Sequence, residues 1–384
     1  MALYPTPPFS SPKARRRWLF WLVLLSWSGP SLAQSAEPRT ENVILVTLDG
    51  MRWQEIFEGA DARRFSKAEQ RPVAAPAQQR RQALLPFLWS TVATQGQLYG
   101  NRAYGNRVSV ANNKHFSYPG YQELLAGFPN PRIHSNAPVD NPYPSVLAYI
   151  SQLPGYQGRV ATFASWEVLR PILNAPGSDF YVNAGWQLTT GPALTTREQQ
   201  LNAYLLGCPR PFAQERTDSL TFAYAFEYLK RKQPRVLYLS FGDTDEFGHE
   251  NRYTDYLQAA HTVDACLARL WAYLQATPAY RGKTTLLITT DHGRGKGRWW
   301  HSHGLQVPGS GQTWLAVLGP DTPPTGEQRH RGQHYQKQVA QTVAQLLGIP
   351  YRSELPTGLP IKSILPAYTK VTELSTTLPQ GGSE

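Results

Sequence analysis

Four aspartates, following three apolar runs, and a set of histidines occupy places where they could do chemistry together. Asp49 ends the run Asn42-Val43-Ile44-Leu45-Val46-Thr47-Leu48. Asp243 and Asp245 follow Val236-Leu237-Tyr238-Leu239-Ser240-Phe241, and Asp291 ends Thr284-Thr285-Leu286-Leu287-Ile288-Thr289-Thr290. One aspartate after a strand is usually a turn residue or a helix cap. Three in register, with His249 four after Asp245, His292 beside Asp291, and His301 and His303 shortly beyond, make coincidence a poor account. Carboxylates brought together repel unless a cation compensates. A mixed aspartate and histidine set is the ligand chemistry of catalytic zinc, whereas structural sites are usually built from cysteine. Of His301 and His303 only one need bind. His115, His134, His261, His330 and His334 lack such placement and read as solvated or packing residues.

The three runs must be strands covered on both faces, as in a parallel sheet, because they are apolar or β-branched without alternation. Thr313–Pro320 and Gly158–Phe163 fit two more. Between them, Pro86–Gly96 reads as a helix opened by proline and closed by glycine. Asp218 caps a helix carrying Phe222, Ala225, Phe226 and Leu229. Thr254–Ala276 repeats leucines and alanines at spacings of three and four, and Gln333–Leu347 ends at Gly348 and Pro350. Strands alternating with helices predict a doubly wound α/β fold, a mostly parallel sheet sandwiched by helices. Ligands of such sheets bind beyond the carboxyl ends of the strands, which is where the aspartates fall.

Residues 60–83 and 175–215 read as irregular insertions that shape substrate choice. The 32 prolines and 30 glycines fit a chain rich in structured loops. With 41% hydrophobic and 17% charged residues the chain is globular, which excludes wholesale disorder, collagen and coiled coil.

Lys13, Arg15, Arg16 and Arg17 precede the apolar run Trp18–Trp27, and Ser31-Leu32-Ala33 offers small residues for cleavage. Residues 1–33 therefore read as a secretory signal peptide, leaving 34–384 as a single catalytic domain without a resident transmembrane helix. Its removal lowers the formal net charge of +11 by four. Much of the rest sits in Arg52, Arg63, Arg64, Lys67, Arg71, Arg80 and Arg81, read as a solvated, insert-like run. No nucleic-acid module is suggested. Cys208 and Cys266 are not spaced for metal; in an oxidising compartment they could pair, or remain buried thiols.

The order of Asp49-Gly50, Ser117 within Phe116-Ser117-Tyr118-Pro119-Gly120, Asp245-Glu246-Phe247-Gly248-His249, Asp291-His292-Gly293 and His303-Gly304 resembles the alkaline phosphatase superfamily, closest to its type I phosphodiesterase/nucleotide pyrophosphatase branch. The resemblance runs from about Asn42 to Leu365. It implies a two-zinc centre, or one of another divalent metal, with Asp49, Asp291, His292 and the Ser117 hydroxyl on one ion and Asp245, His249 and His303 on the other. It also implies a secreted or periplasmic phosphoric ester hydrolase that works through phosphoserine at Ser117 on phosphorylated small-molecule or nucleotide-like substrates. The alternatives are sulfuric ester hydrolysis and a non-catalytic zinc-binding relative.

The chain departs from the branch in carrying serine rather than threonine at the nucleophile, Gly120-Tyr121 after Pro119, and Leu305-Gln306-Val307 after His303-Gly304. Tyr121 in place of arginine argues against a formylglycine sulfatase. Asn136 is the candidate for the family's phosphate-contacting asparagine. Serine at the start of a helix would also place backbone N–H groups toward an anion.

Overall fold

Unbroken β-branched sequence becomes central strand when both of its faces find cover, and the three aspartate-ended runs do so side by side. The computed structural model describes residues 38–65, 75–177 and 179–365; the predicted signal peptide, Lys67 and Arg71 lie outside them. The strands are β1 (Asn42–Leu48), β2 (Gln97–Tyr99), β3 (Asn106–Ser109), β4 (Val160–Ala164), β5 (Tyr181–Ala184), β6 (Val236–Phe241), β7 (Thr284–Thr289), β8 (Gln312–Thr313), β9 (Leu315–Leu318), β10 (Gly326–Glu327) and β11 (Gly332–Tyr335). An eight-stranded sheet runs β10-β2-β9-β7-β1-β6-β4-β5, and a small sheet runs β11-β3-β8. In the large sheet β9 lies antiparallel to β7 and β2, and the other pairings are parallel. The fold is the mostly parallel α/β sandwich expected.

Side chains of β1 alternate between two cores. Ile44, Val46 and Leu48 pack on one face with Leu239 and Ile288, under the helices Asp218–Lys232 and Tyr253–Ala276. Val43 and Leu45 pack on the other with Tyr238 and Leu287, under the helices Ser117–Ala126 and Val339–Leu346. Each fully buried aliphatic side chain of this kind contributes roughly 1.5–3 kcal/mol. No helix among the described residues is long and apolar enough to cross a membrane.

Several local expectations are corrected. Gln333–Tyr335 is strand rather than helix, because its backbone pairs with β3; the α-helix begins at Val339. The predicted strand at 313–320 is divided at Trp314, with Thr313 in the small sheet and Leu315–Leu318 in the large one. The stretch 175–215 is not irregular: it supplies edge strand β5 and the helix Thr196–Gly207, opened by a Thr195/Glu198 capping box. Within 60–83 the helix Ala77–Leu84 is formed. Cys208 and Cys266 are free thiols.

The cationic run is only partly solvated. Arg52 is 2% exposed beside Glu55, Arg64 bonds the Gly297 carbonyl, and Arg81 pairs with Glu327 while lying over the Trp89 ring. Arg63 remains exposed.

Glu123 holds the segment leading to Ser117 in place. It is fully buried on the Ser117 helix, and its carboxylate accepts bonds from the amides of Ala111, Asn112 and Lys337 and from Asn112 Nδ2, at 2.8–3.1 Å. Glu123→Gln keeps the shape but turns an NH2 group toward those donors. We expect it to cost about 1–3 kcal/mol, the price of a buried unsatisfied donor set. Urea unfolding measures this, and a change within about 0.5 kcal/mol would contradict the anchoring role.

Candidate metal centre and active site

Strand register brings the acids together. Thr47 pairs with Thr289 across β1 and β7, so Asp49 and Asp291, each two residues on, emerge level with one another. Leu48 pairs with Phe241 across β1 and β6, which delivers Asp245 from the opposite side on the first turn of the helix Asp243–His249. Gly50 makes the crowding feasible. Its φ is +60°, and a Cβ there would strike Asp245 Oδ1 and approach Arg294 Nε to 2.9 Å.

His292 lies at the middle of the group. Its Nε2 is 3.3 Å from Asp49 Oδ1, 3.4 Å from Asp291 Oδ2, 3.9 Å from Asp245 Oδ1 and 3.3 Å from Ser117 Oγ. Its Nδ1 faces the Gly293 carbonyl at 2.9 Å, and the Nδ1 of His303 faces the His115 carbonyl at 2.9 Å. A carbonyl only accepts, so both Nδ1 atoms carry the proton and both Nε2 atoms present a lone pair. Burial lowers the pKa of His292 well below the ordinary value and that of His303 to about 4, which keeps both rings neutral.

The lone pair of His292 thus points at carboxylate oxygens. Asp49 Oδ1 and Asp291 Oδ2 are buried and have no hydrogen-bond partner among the described residues. Burial, and then repulsion from the neighbouring aspartates, raises Asp49 well above the carboxylate range and Asp291 to about 8. Acceptors converging on acceptors fit a cation between them. Ligand atoms of Asp49, Asp291 and His292 lie within 4.8 Å of one another, as do those of Asp245, His292 and His303. His249, 48% exposed, joins the second group: its Nε2 is 2.9 Å from Asp245 Oδ2 and 3.1 Å from His303 Nε2. His301 does not face the centre group; its Nδ1 meets Ser302 Oγ and its carbonyl accepts from Arg294.

Ser117 is the first residue of its helix, as expected, but the helix start is less open than the sequence suggested. The Tyr118 amide donates to Asn136 Oδ1 at 3.0 Å, and Pro119 has no N–H. Asn136 is thereby committed through its carbonyl to capping this helix. Asp218 also differs from expectation: instead of capping its own helix, it accepts from the amides of Gly242 and Asp243 and from Ser165 Oγ, fixing the turn before Asp245. Asp243 in turn accepts from the Asp218 amide and stays outside the acid cluster.

Three functional neighbours were missed in the sequence. Tyr121 OH donates to Asp49 Oδ2 at 2.9 Å. His115, with φ +57° and its Nδ1 2.8 Å from Ser310 Oγ, supplies the carbonyl that orients His303. Arg294 is buried against Asp245. Only Arg294 carried a signal, being a cation two residues after His292 in a chain whose acids needed one. Beside His303 a cavity of about 360 Å3 opens, lined by Lys114, Phe116, His134 and Leu305.

The fold recurs in solved structures of low sequence identity. The lipoteichoic acid synthase LtaP from Listeria monocytogenes is 13% identical with a TM-score of 0.54, over 82% of this chain and 74% of that one. The alkaline phosphatase PafA is 10% identical with a TM-score of 0.57, over 86% and 100%. The phosphonate monoester hydrolase SpPMH from Silicibacter pomeroyi is 16% identical with a TM-score of 0.53, over 85% and 76%. Among curated sequences, the 2,3-bisphosphoglycerate-independent phosphoglycerate mutase of Gloeobacter violaceus is 25% identical over 38% of this chain, of which the match spans only 26% of the relative's length. Residues 43–306, which contain the whole acid and histidine group, match the type I phosphodiesterase / nucleotide pyrophosphatase family. The chain belongs to that family, within the alkaline phosphatase superfamily.

Proposed function

We propose that this chain is a secreted or periplasmic, metal-dependent phosphoric ester hydrolase that works through a phosphoserine at Ser117. The observation that carries the reading is the position of Ser117 Oγ, 3.3 Å from the same His292 Nε2 that lies 3.3 and 3.4 Å from two buried carboxylate oxygens without a hydrogen-bond partner among the described residues. Asp49, Asp291 and His292, with the Ser117 hydroxyl, would hold one zinc or other divalent ion, and Asp245, His249 and His303 the other. Metal bound there supplies a lowered hydroxyl pKa at the nucleophile and charge stabilisation at the leaving oxygen.

The chain's own residues do the rest. Ser117 loses its hydroxyl proton to solvent and its oxygen bonds to phosphorus as the P–O bond to the leaving group breaks, the leaving oxygen taking up a proton from water; a second water then attacks phosphorus, the Ser117 Oγ–P bond breaks, phosphate is released and the serine hydroxyl is restored. The His115 carbonyl and the Tyr121 hydroxyl hold His303 and Asp49 in orientation through both steps. The cavity beside His303 gives the leaving group room next to Phe116. Phosphorylated small molecules or nucleotide-like esters are the substrates this supports, in keeping with the family.

Two predictions test the reading. Ser117→Ala should retain the fold and most of the bound metal, since carboxylates and imidazoles supply most of the ligation, while turnover of aryl phosphate mono- or diesters falls by roughly three or more orders of magnitude. Acid quench of the wild type with labelled substrate should trap phosphate on the Ser117 peptide. Near wild-type turnover in Ser117→Ala would remove the phosphoserine, and a preference for aryl sulfate in the same panel would favour sulfuric ester hydrolysis.

The second concerns the two neighbouring histidines. His303→Ala should lose about one equivalent of metal, while His301→Ala keeps both and most activity, because His303 brings its Nε2 into the group with Asp245 and His249 whereas His301 Nδ1 meets Ser302 Oγ. Elemental analysis of the purified variants reads the difference, and the reverse pattern would exchange their roles.

A further inference from the structure

The two halves of the centre are not equivalent. On one side Asp49 Oδ1 and Asp291 Oδ2 have no hydrogen-bond partner among the described residues. On the other both oxygens of Asp245 are taken: Oδ2 by His249 Nε2 at 2.9 Å, and Oδ1, the oxygen nearer His292, by the Arg294 guanidinium. Arg294 Nη2 also bonds the Asp245 carbonyl at 2.7 Å, and Nη1 bonds the carbonyl of His301, two residues before His303. The guanidinium has a built seat. A Cβ at Gly248 would come within 2.5 Å of its Cζ, and one at Gly50 within 2.9 Å of its Nε, so both neighbouring backbones leave it room.

The guanidinium sets a delocalised positive charge directly against the inward oxygen of Asp245. A metal ion entering the Asp245 half must share the inward oxygen with it or displace it, and must approach a positive charge in a region shielded from water, where charges interact strongly. The Asp49 half carries no such competitor among the described residues.

Resting on the two-metal reading above, we propose that Arg294 is a built-in counter-cation for Asp245 that makes the two metal positions load unequally, the Asp49/Asp291/His292 position tightly and the Asp245/His249/His303 position weakly and exchangeably. The acid cluster then keeps part of its charge balance when the second position is empty, and substrate phosphate meets an extra positive charge when it is filled. Arg294 acts through Asp245 and is a positioning residue.

The test is zinc titration of the chelator-stripped full chain, by calorimetry and by competition with a chromophoric chelator, with circular dichroism as the check on folding. Wild type should bind two zinc ions with clearly separated affinities. The neutral variants Arg294→Met and Arg294→Gln should tighten the weaker position at least about tenfold and leave the tighter one unchanged. Arg294→Lys, which keeps the charge, should stay near wild type; this separates charge from a merely structural role, which all three variants would disturb alike. Glutamine retains a donor for the carbonyls and serves where methionine impairs folding. Two equal positions in wild type, or neutral variants that bind the second zinc no more tightly, would overturn this inference alone. A wild-type chain that takes up no zinc would overturn the two-metal reading and this inference with it.

Discussion

Everything at the centre follows from the cost of placing Asp49, Asp245 and Asp291 together where water is excluded. At an effective dielectric of about 20, two like charges 4 Å apart repel by about 4 kcal/mol, a large fraction of the net stability of a domain. The chain meets that cost in different ways at the different acids. Asp49 takes a hydrogen bond from Tyr121, Asp291 takes one from the Gly50 amide, and both are pushed toward protonation, first by burial. Burial pushes Asp245 up as well, but Arg294 and then His249 outweigh it and hold that carboxyl well below the usual range.

The crowding cannot be relaxed locally, because it is written into the sheet. The carboxyl ends of β6, β1 and β7 are neighbours through consecutive parallel pairings, so Asp49 and Asp291, two residues on from paired Thr47 and Thr289, emerge side by side, and the helix after β6 brings Asp245 to them. What remains adjustable is the set of loops, and each is pinned by a buried polar group. Asp218 fixes the turn after β6, Glu123 fixes the segment before Ser117, and Ser310 ties His115 to the Gly304 carbonyl, which sets the loop bearing His303. These are hydrogen bonds in a water-poor setting, where leaving a donor unmet costs more than the bond contributes.

The parts legible in the sequence were those governed by local pattern. β1, β6 and β7 announced themselves because covering both faces demands continuous apolar residues, and the aspartates were visible because they interrupt those runs. Where tertiary pairing overrode local pattern, the sequence misled. Gln333–Tyr335 has no strand signature and becomes strand because β3 offers its edge, and Arg52, Arg64 and Arg81 are drawn inward by Glu55, the Gly297 carbonyl and Glu327. Asn136 was read as a phosphate contact and Asp218 as the cap of its own helix, and only the fold shows which distant amides they serve. Of the centre itself, Asp49, Ser117, Asp245, His249, Asp291, His292 and His303 were all named in advance and lie together; His115 was read only as a solvated or packing histidine and Tyr121 only as standing in place of arginine, since a phenol and a main-chain carbonyl leave no spacing rule behind.

Burial across the centre also gives it a direction. Asp291 and His292 are inaccessible and Asp49 nearly so, while His249 is half exposed and Leu305, on the rim of the neighbouring cavity, is 56% exposed. Ser117 lies between these extremes, buried itself but directly after the half-buried Phe116 that lines the cavity. On the proposed reading, an ester arriving from the open side would meet His303 and Phe116, which line the cavity, before reaching the buried serine, and its leaving group would remain on the cavity side. The residues that follow His303 and precede Ser117 are therefore the ones that would grade substrates by their leaving group. These are Asn113, Lys114, Phe116, Leu305 and Gln306, which line the cavity without belonging to the acid and histidine group.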